Sequence, residues 1–445
     1  MIDLAGWGNY PRFFTELLEP RTPSSVPELM AKRSGLIARG NGRAYGDAAI
    51  GERFTLSSIG LNRMRCFDCQ TGFLTVEAGV SIADILTTFI PRGFFLKVVP
   101  GTKFVTVGGA IAADVHGKNH HRDGGFGDNL QSFQLVLANG ETVSCSRSRN
   151  PELFAATIGG MGLTGVILEA TIQLIRIETG WLWQQTRVAD NLDSAITELE
   201  NSASASYSVA WIDCLARGAQ LGRSLIYSAE HATRHDKDNL RPDLAPFPAI
   251  GQMRPLPVPA AFPSWLLNRT SVRTFNELYF RRGAAKAGVQ SFVHWDPYFF
   301  PLDSIAGWNR IYGHKGFVQH QCVIPPGRAR TVLVEILDRV SRRGSVSFLA
   351  VLKQLRESNG VISFPLRGYT LAMDFPVTET LFAFLDELDE LVVGAGGRLY
   401  LAKDARQSRA TFESGYPRLA AFRDIRRQTS GKELFVSRLS ARLGI

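Results

Sequence analysis

Val166 to Ile177 alternates apolar and polar positions with period two, the pattern of a half-buried strand. Residues 36–47 read as a short strand running into a glycine-rich turn, 73–80 as another strand, 97–113 as a strand, a turn and a Gly-Gly-Ala-Ile-Ala-Ala segment, and 131–145 as a hairpin turning at Asn139-Gly140. Ser81 is placed to cap a helix over 81–93, with apolar residues at 82, 85, 86 and 89 and Gly93 as its stop. Pro151 opens a second helix through Ala156. Beyond residue 180 the texture changes. Residues 317–324 and 345–353 read as strands, and 327–343 and 378–393 as amphipathic helices. Residues 230–263 are polar and then proline-rich, which predicts a long mobile loop with no regular helix. Gly394 to Gly397 reads as a boundary, followed by a closing basic helix. The fold class is therefore α+β, divided as 1–179, 180–397 and 398–445.

Length agrees with that division, since 445 residues exceed what one core usually serves. Hydrophobic content of 45% and charged content of 20% are ordinary for a globular protein, and no apolar run approaches the roughly 20 residues of a membrane span. The N-terminus lacks a basic region followed by an apolar core, which argues against a secretory signal and for a cytoplasmic location. A net charge of +9 favours anionic partners: phosphorylated substrates or lipid headgroups at the inner membrane, contacted peripherally. The basic residues are dispersed and no nucleic-acid module is visible, so nucleic acid is not expected as a partner. Five cysteines suit reduced thiols, and the lone Cys66-x-x-Cys69 lacks two further ligands for zinc.

Glycine supplies the first chemical signal. It clusters at Gly40 to Asp47, Pro100 to Thr102, Thr106 to Gly109 and Gly159 to Gly165. Without a Cβ, backbone N–H groups can converge on phosphate, and several such segments suggest a dinucleotide wrapped by loops. There is no strand–GxGxxG–helix unit with its acidic partner and no GxxxxGK[ST], which excludes a Rossmann site and a P-loop.

The segments A-R-G-x-G-R-x-Y-G-D, P-G-T, T-V-G-G-A-I-A-x-D-x-H-G-K-N-H-H and G-G-x-G-L-T-G, in that order, resemble the vanillyl-alcohol-oxidase type of FAD-binding domain. With Gly307 to Arg310, Phe317 to Gln321, Asp374 to Pro376 and Gly396 to Asp404, the chain is similar over nearly its whole length to the polyprenylphosphoryl-ribose 2′-oxidases of that superfamily. The resemblance implies a two-part FAD-binding domain with a cap built on an antiparallel sheet. It implies that FAD is lined by Ala38, Arg39, Gly40, Asn41, Gly42, Arg43, Ala44, Tyr45, Gly46, Asp47, Ala48, Gly101, Thr106, Val107, Gly108, Gly109, Ala113, Asp114, Val115, His116 and Ile167, with Tyr400 returning from the C-terminal segment. Residues 39–47 would then offer N–H groups to the pyrophosphate. Arg43 stands where many relatives carry the histidine that bonds FAD covalently, so non-covalent FAD is expected.

Oxidising an alcohol requires a hydride acceptor and a group that takes the hydroxyl proton. The resemblance points to Lys403, His116 and Tyr45 as the catalytic set, and to Lys118, Gln319, Gln321, Lys353, Thr370 and Ala372 on the substrate side. Gln319 and Gln321 are two apart on a predicted strand and so share a face. His116, His120 and His121 invite a metal reading, but no carboxylate-bearing ligand motif surrounds them. Ala372 replaces the family's inhibitor-trapped cysteine, Thr370 its asparagine, and Phe299-Phe300 its tyrosine–histidine pair. Three functions stay open at this point. The first is a polyprenylphosphoryl-ribose 2′-oxidase, which would need a short-chain reductase to finish an epimerisation to arabinose for the cell envelope and would pass electrons to a quinone or to oxygen. The others are a soluble polyol or aldonolactone oxidase, and a flavin-binding subunit without turnover.

Overall fold

A computed structural model describes residues 1–248, 256–258, 260, 268–344, 349–429 and 434–445. Among these, the strands sort into three main sheets, and the cavity described below lies where the sheets meet. The first sheet joins Ile2–Ala5, Arg12–Leu18, Phe54–Ser57 and Leu36–Arg39, and Leu36–Arg39 runs directly into the first glycine loop. The second is antiparallel and is centred on Val166–Arg176, flanked by Phe73–Glu77 and by Leu130–Val136. Its hairpin turns at Gly140, whose φ of +84° only glycine adopts readily.

The third sheet is the cap, in the order 290–294, 181–189, 224–231, 207–212, 350–355, 368–376, 317–324 and 398–399, antiparallel throughout. Alternation decides its two faces. Val318, Cys322, Ile324, Leu352, Leu371 and Met373 point to one side and are buried against Leu333, Ile336, Leu337, Leu385 and Leu388 of the helices Pro326–Arg343 and Leu381–Gly394. The intervening residues, Gln319, Gln321, Val351, Lys353 and Ala372, are left to line the cavity. After Arg398–Leu399 the chain crosses back. Tyr400, Leu401, Phe412, Phe422, Leu439 and Leu443 form one core with Ile37, Ala48, Met161 and Leu163 of the N-terminal part.

Three expectations need correction. The strand expected from residue 97 lies earlier, at Phe94–Leu96, where it pairs with Leu174 to Arg176. Residues 230–263 do contain a helix, Arg234–Leu240, started by reciprocal bonds between Thr233 and Asp236; it ends before the first proline, Pro242. The rest of that segment falls partly at 249–255, 259 and 261–263, outside the described residues. The strand expected over 345–353 is seen as Ala350–Leu355, with 345–348 likewise outside. No helix among the described residues is long and apolar enough to cross a membrane.

Candidate active site

The glycine loops and the cap sheet enclose a cavity of about 810 Å³, within the size range of small-molecule and cofactor sites. Its first wall is loop backbone. Gly40 abuts Thr106 so closely that a Cβ would fall 2.1 Å from Oγ1. That Thr106 hydroxyl accepts the N–H of Gly109 and caps the short helix Val107–Ala112. Gly101 lines the same wall, and a Cβ there would meet nothing within 4 Å.

The second wall is chemical. Gln321 Nε2 lies 2.9 Å from His116 Nε2 and donates also to Thr370 Oγ1 at 3.3 Å. An amide nitrogen only donates, so His116 Nε2 accepts and its proton resides on Nδ1. Burial, then the charges of Lys353, His120 and Lys403, push the His116 imidazole well below its usual range and keep it neutral. Lys403 Nζ sits 3.4 Å from the centre of the Tyr45 ring, a cation–π contact. Burial lowers the Lys403 ammonium; Asp374 opposes the shift and Lys353 adds to it. Asp374 is fully buried, accepts from Gln319 Nε2 at 2.6 Å and from Tyr312 at 3.4 Å, and is itself pushed upward by burial. Burial also brings Lys353 to about 8 and, helped by Lys353, Lys118 to about 7. Lys118 Nζ donates to the Tyr298 carbonyl and stands 4.1 Å over that ring.

Most residues expected at the site line this cavity: Ala38, Gly40 to Tyr45, Ala48, Gly101, Thr106, Gly108, Gly109, Ala113, Val115, His116, Lys118, Ile167, Gln319, Gln321, Lys353, Ala372, Tyr400 and Lys403. Six expected residues are not among the lining residues. Arg39 turns to the carbonyls of Ala5 and Ala49, and Gly46 packs on Asp404. Asp47 pairs with Arg442, and Val107 belongs to the core. Asp114 is fully buried and receives Gly127 N–H and the hydroxyls of Ser358 and Ser363. Thr370 lies under Gln321. Tyr45 N–H is also withdrawn from the expected anion cradle, because it donates to Ala402. His120 Nδ1 accepts from Arg356 N, and His121 Nε2 meets the Ala205 carbonyl, so both face backbone. Of the altered pair, Phe299 lines the cavity, whereas Phe300 packs against Trp295 at 6.2 Å.

Several site residues escaped the sequence. Asp374 continues the alternation of Thr370 and Ala372 and was within reach of that argument. Trp7 and Asp303 come from segments remote from the glycine loops and carry no local signal, whereas Trp308 lies inside the Gly307 to Arg310 segment of the resemblance but was given no role.

Among the described residues, Arg43 Nε and His116 Nδ1 are buried without a hydrogen-bond partner, so each has capacity for an incoming polar group. Arg43 is stacked 3.9 Å over Trp7 and 5.0 Å over Phe104, beside the glycine loop. With the glycine wall, these features suit a large dinucleotide.

The family model for an FAD binding domain matches residues 17–146. Decaprenylphosphoryl-beta-D-ribose oxidase of Mycolicibacterium smegmatis is 36% identical over 99% of this chain and 97% of its own length. The chain belongs to that oxidase family. It is an FAD-dependent oxidoreductase. A Streptomyces coelicolor protein from the mprA 5′ region is 36% identical over 82% of this chain and all of its own length. L-gulonolactone oxidase of Bos taurus is 30% identical, but over only 41% of this oxidoreductase and 43% of itself.

Proposed function

We propose that this oxidoreductase oxidises the 2′-hydroxyl of a polyprenylphosphoryl ribose to the 2′-keto sugar, with FAD held non-covalently. The observation that carries the reading is the grouping of Lys403, His116 and Gln321 with two further half-buried lysines, Lys118 and Lys353, on one cavity. Bound FAD supplies the hydride acceptor. Lys403, kept partly neutral by burial, takes the hydroxyl proton, and Asp374 stabilises the ammonium that results. His116 and Gln321 orient the hydroxyl. Lys353 and Lys118 hold the phosphate as point charges. A guanidinium at position 43 offers no nucleophile for a covalent flavin bond, so acid precipitation is expected to release all flavin.

The decisive experiment is anaerobic mixing with polyprenylphosphoryl ribose and, separately, with free polyols. Loss of the oxidised-flavin absorbance is expected with the former alone. Bleaching by polyols alone would sink the assignment. The chain alone is expected to stop at the keto sugar, with a short-chain reductase completing an epimerisation and a membrane quinone reoxidising the flavin; arabinose formed without added reductase would refute that division. We place the enzyme in the cytoplasm, peripheral to the inner membrane; recovery in the soluble fraction regardless of ionic strength would argue against the membrane contact.

The lysines set a pH dependence. An ammonium is charged below its pKa, so phosphate affinity is expected to fall as pH rises, first through about 7 as Lys118 loses its proton and then through about 8 as Lys353 does. Each loss should raise KM about tenfold per pH unit beyond its own point, and Lys353→Met should remove the part of the climb above pH 8. A KM in the wild type that is constant from pH 7 to 9.5 would remove Lys353 from phosphate binding.

A further inference from the structure

The cap-sheet face that closes the cavity changes character across its width. The strands Phe317–Ile324 and Gly368–Pro376 bring Gln319, Gln321, Thr370 and Asp374. The next strand, Ala350–Leu355, brings Lys353 and, two residues before it on the same face, Val351. Register carries the face onward: Ala372 lies opposite Val351, Val351 opposite Trp211, and Val209 opposite Tyr227. Val351, Trp211, Val209 and Tyr227 all line the cavity. From the glutamine strand to that of Tyr227 is four strand spacings, about 19 Å.

This apolar half has a roof. Val272, Phe275 and Tyr279, at helical spacing on Arg269–Ala284, line the same cavity. The Tyr279 ring lies 4.8 Å from that of Trp211, and its hydroxyl 3.2 Å from that of Tyr227. None of the lining residues from 207–212, 224–231 and 269–284 is charged. At the outer end, Phe275 and Tyr279 are 44% and 38% exposed, so the arm reaches the surface.

We infer that this apolar arm, floored by Val351, Trp211, Val209 and Tyr227 and roofed by Val272, Phe275 and Tyr279, holds the first isoprene units of the substrate's lipid. The inference rests on the proposed function for the identity of that lipid. Across the sheet the order is glutamines, then Lys353, then hydrocarbon-facing residues. Along the substrate the order is sugar, phosphate, isoprenoid. The two sequences of groups coincide, with Lys353 at the phosphate. A longer chain leaves past Phe275 and Tyr279.

Calorimetric titration of the holoenzyme with inorganic phosphate, geranyl phosphate and farnesyl phosphate tests the arm without any sugar. Geranyl phosphate is expected to bind at least about tenfold more tightly than phosphate, and farnesyl phosphate more tightly still, from apolar area removed from water. Equal affinity for all three would overturn the inference. Val351→Trp, which fills the arm, is expected to weaken farnesyl phosphate binding at least about tenfold and to leave inorganic phosphate unchanged. Tyr279→Asp, at a position 38% exposed, should act the same way; unchanged farnesyl phosphate binding in both variants would refute the arm. A chain that shows this length dependence but oxidises no ribosyl phosphate would refute the proposed function while leaving the arm in place.

Discussion

Lys403→Met is expected to retain its flavin and lose reductive bleaching by substrate about 10³-fold, the usual worth of a positioned proton acceptor. Retention of flavin follows from the number of other groups on the glycine wall; of these only the Tyr45 ring is in contact with the Lys403 side chain, and methionine keeps an apolar chain against it. The loss follows from position. Lys403 Nζ stands over Tyr45 on the cavity surface, and burial lowers its ammonium toward neutrality against the pull of Asp374. A base acts in its deprotonated form, so wild-type bleaching should quicken as pH rises through the Lys403 titration. The methionine variant should lack that step. Asp374→Asn removes the neighbour that favours the charged lysine, and should move the step to lower pH. Stopped-flow bleaching from pH 5.5 to 9 measures all three enzymes. A methionine variant within tenfold of the wild type would remove Lys403 from proton transfer.

Arg442→Leu is expected to cost about 3–5 kcal/mol of stability, the usual result of breaking a buried ion pair from one side. Arg442 donates to Asp47 at 3.0 and 3.2 Å, to Asp404 at 3.0 Å and to the Gln407 carbonyl at 2.7 Å. Both carboxylates are almost wholly buried. They respond differently to the shared guanidinium. Burial pushes Asp404 upward, but Arg442 and the N–H groups of Arg406 and Gln407 outweigh it and hold the group below its usual value. Burial also raises Asp47, and there it prevails, because Asp404 repels it and fewer bonds compensate. Without Arg442 the two adjacent buried carboxylates repel each other: Asp47 loses its guanidinium partner, and Asp404 keeps the N–H groups of Arg406 and Gln407. The penalty should therefore be greatest near pH 8, where both are ionised, and shrink as pH falls and protonation in the variant removes the repulsion. Urea unfolding at pH 8 and pH 5 measures it, and a difference from wild type below 1 kcal/mol at pH 8 would show the triad to be dispensable.

The parts of the site legible in the sequence were those set by local chemistry. Glycine at 40, 42, 108 and 109 and the alternation of Gln319 and Gln321 were visible because backbone approach and strand pleat are short-range properties. The fold class and the helices at 82, 151, 326 and 381 were visible for the same reason. Polar residues inside the glycine loop were harder. Arg39 and Asp47 sit among cradle residues in sequence, yet their partners are Ala5 and Arg442, remote in the chain. The apolar arm was hidden because every residue of Tyr207–Ile212 is buried, so its cavity face cannot be told from its core face by pattern. The helix Arg234–Leu240 was missed although Thr233 and Asp236 announce it, because the prolines that follow dominated the segment.

The return of the chain after Tyr400 also bears on synthesis. Phe435 pairs with Leu36 and Ser437 with Gly51, while Val436 N–H donates to the Leu36 carbonyl. The loop that begins at Arg39 is thus braced by residues made some 400 positions later. A nascent chain on the ribosome has the glycines of the cradle early but not their support. Contacts of such long sequence separation form late, so flavin capture should await release of the finished polypeptide, and premature termination anywhere before 434 should yield apoprotein.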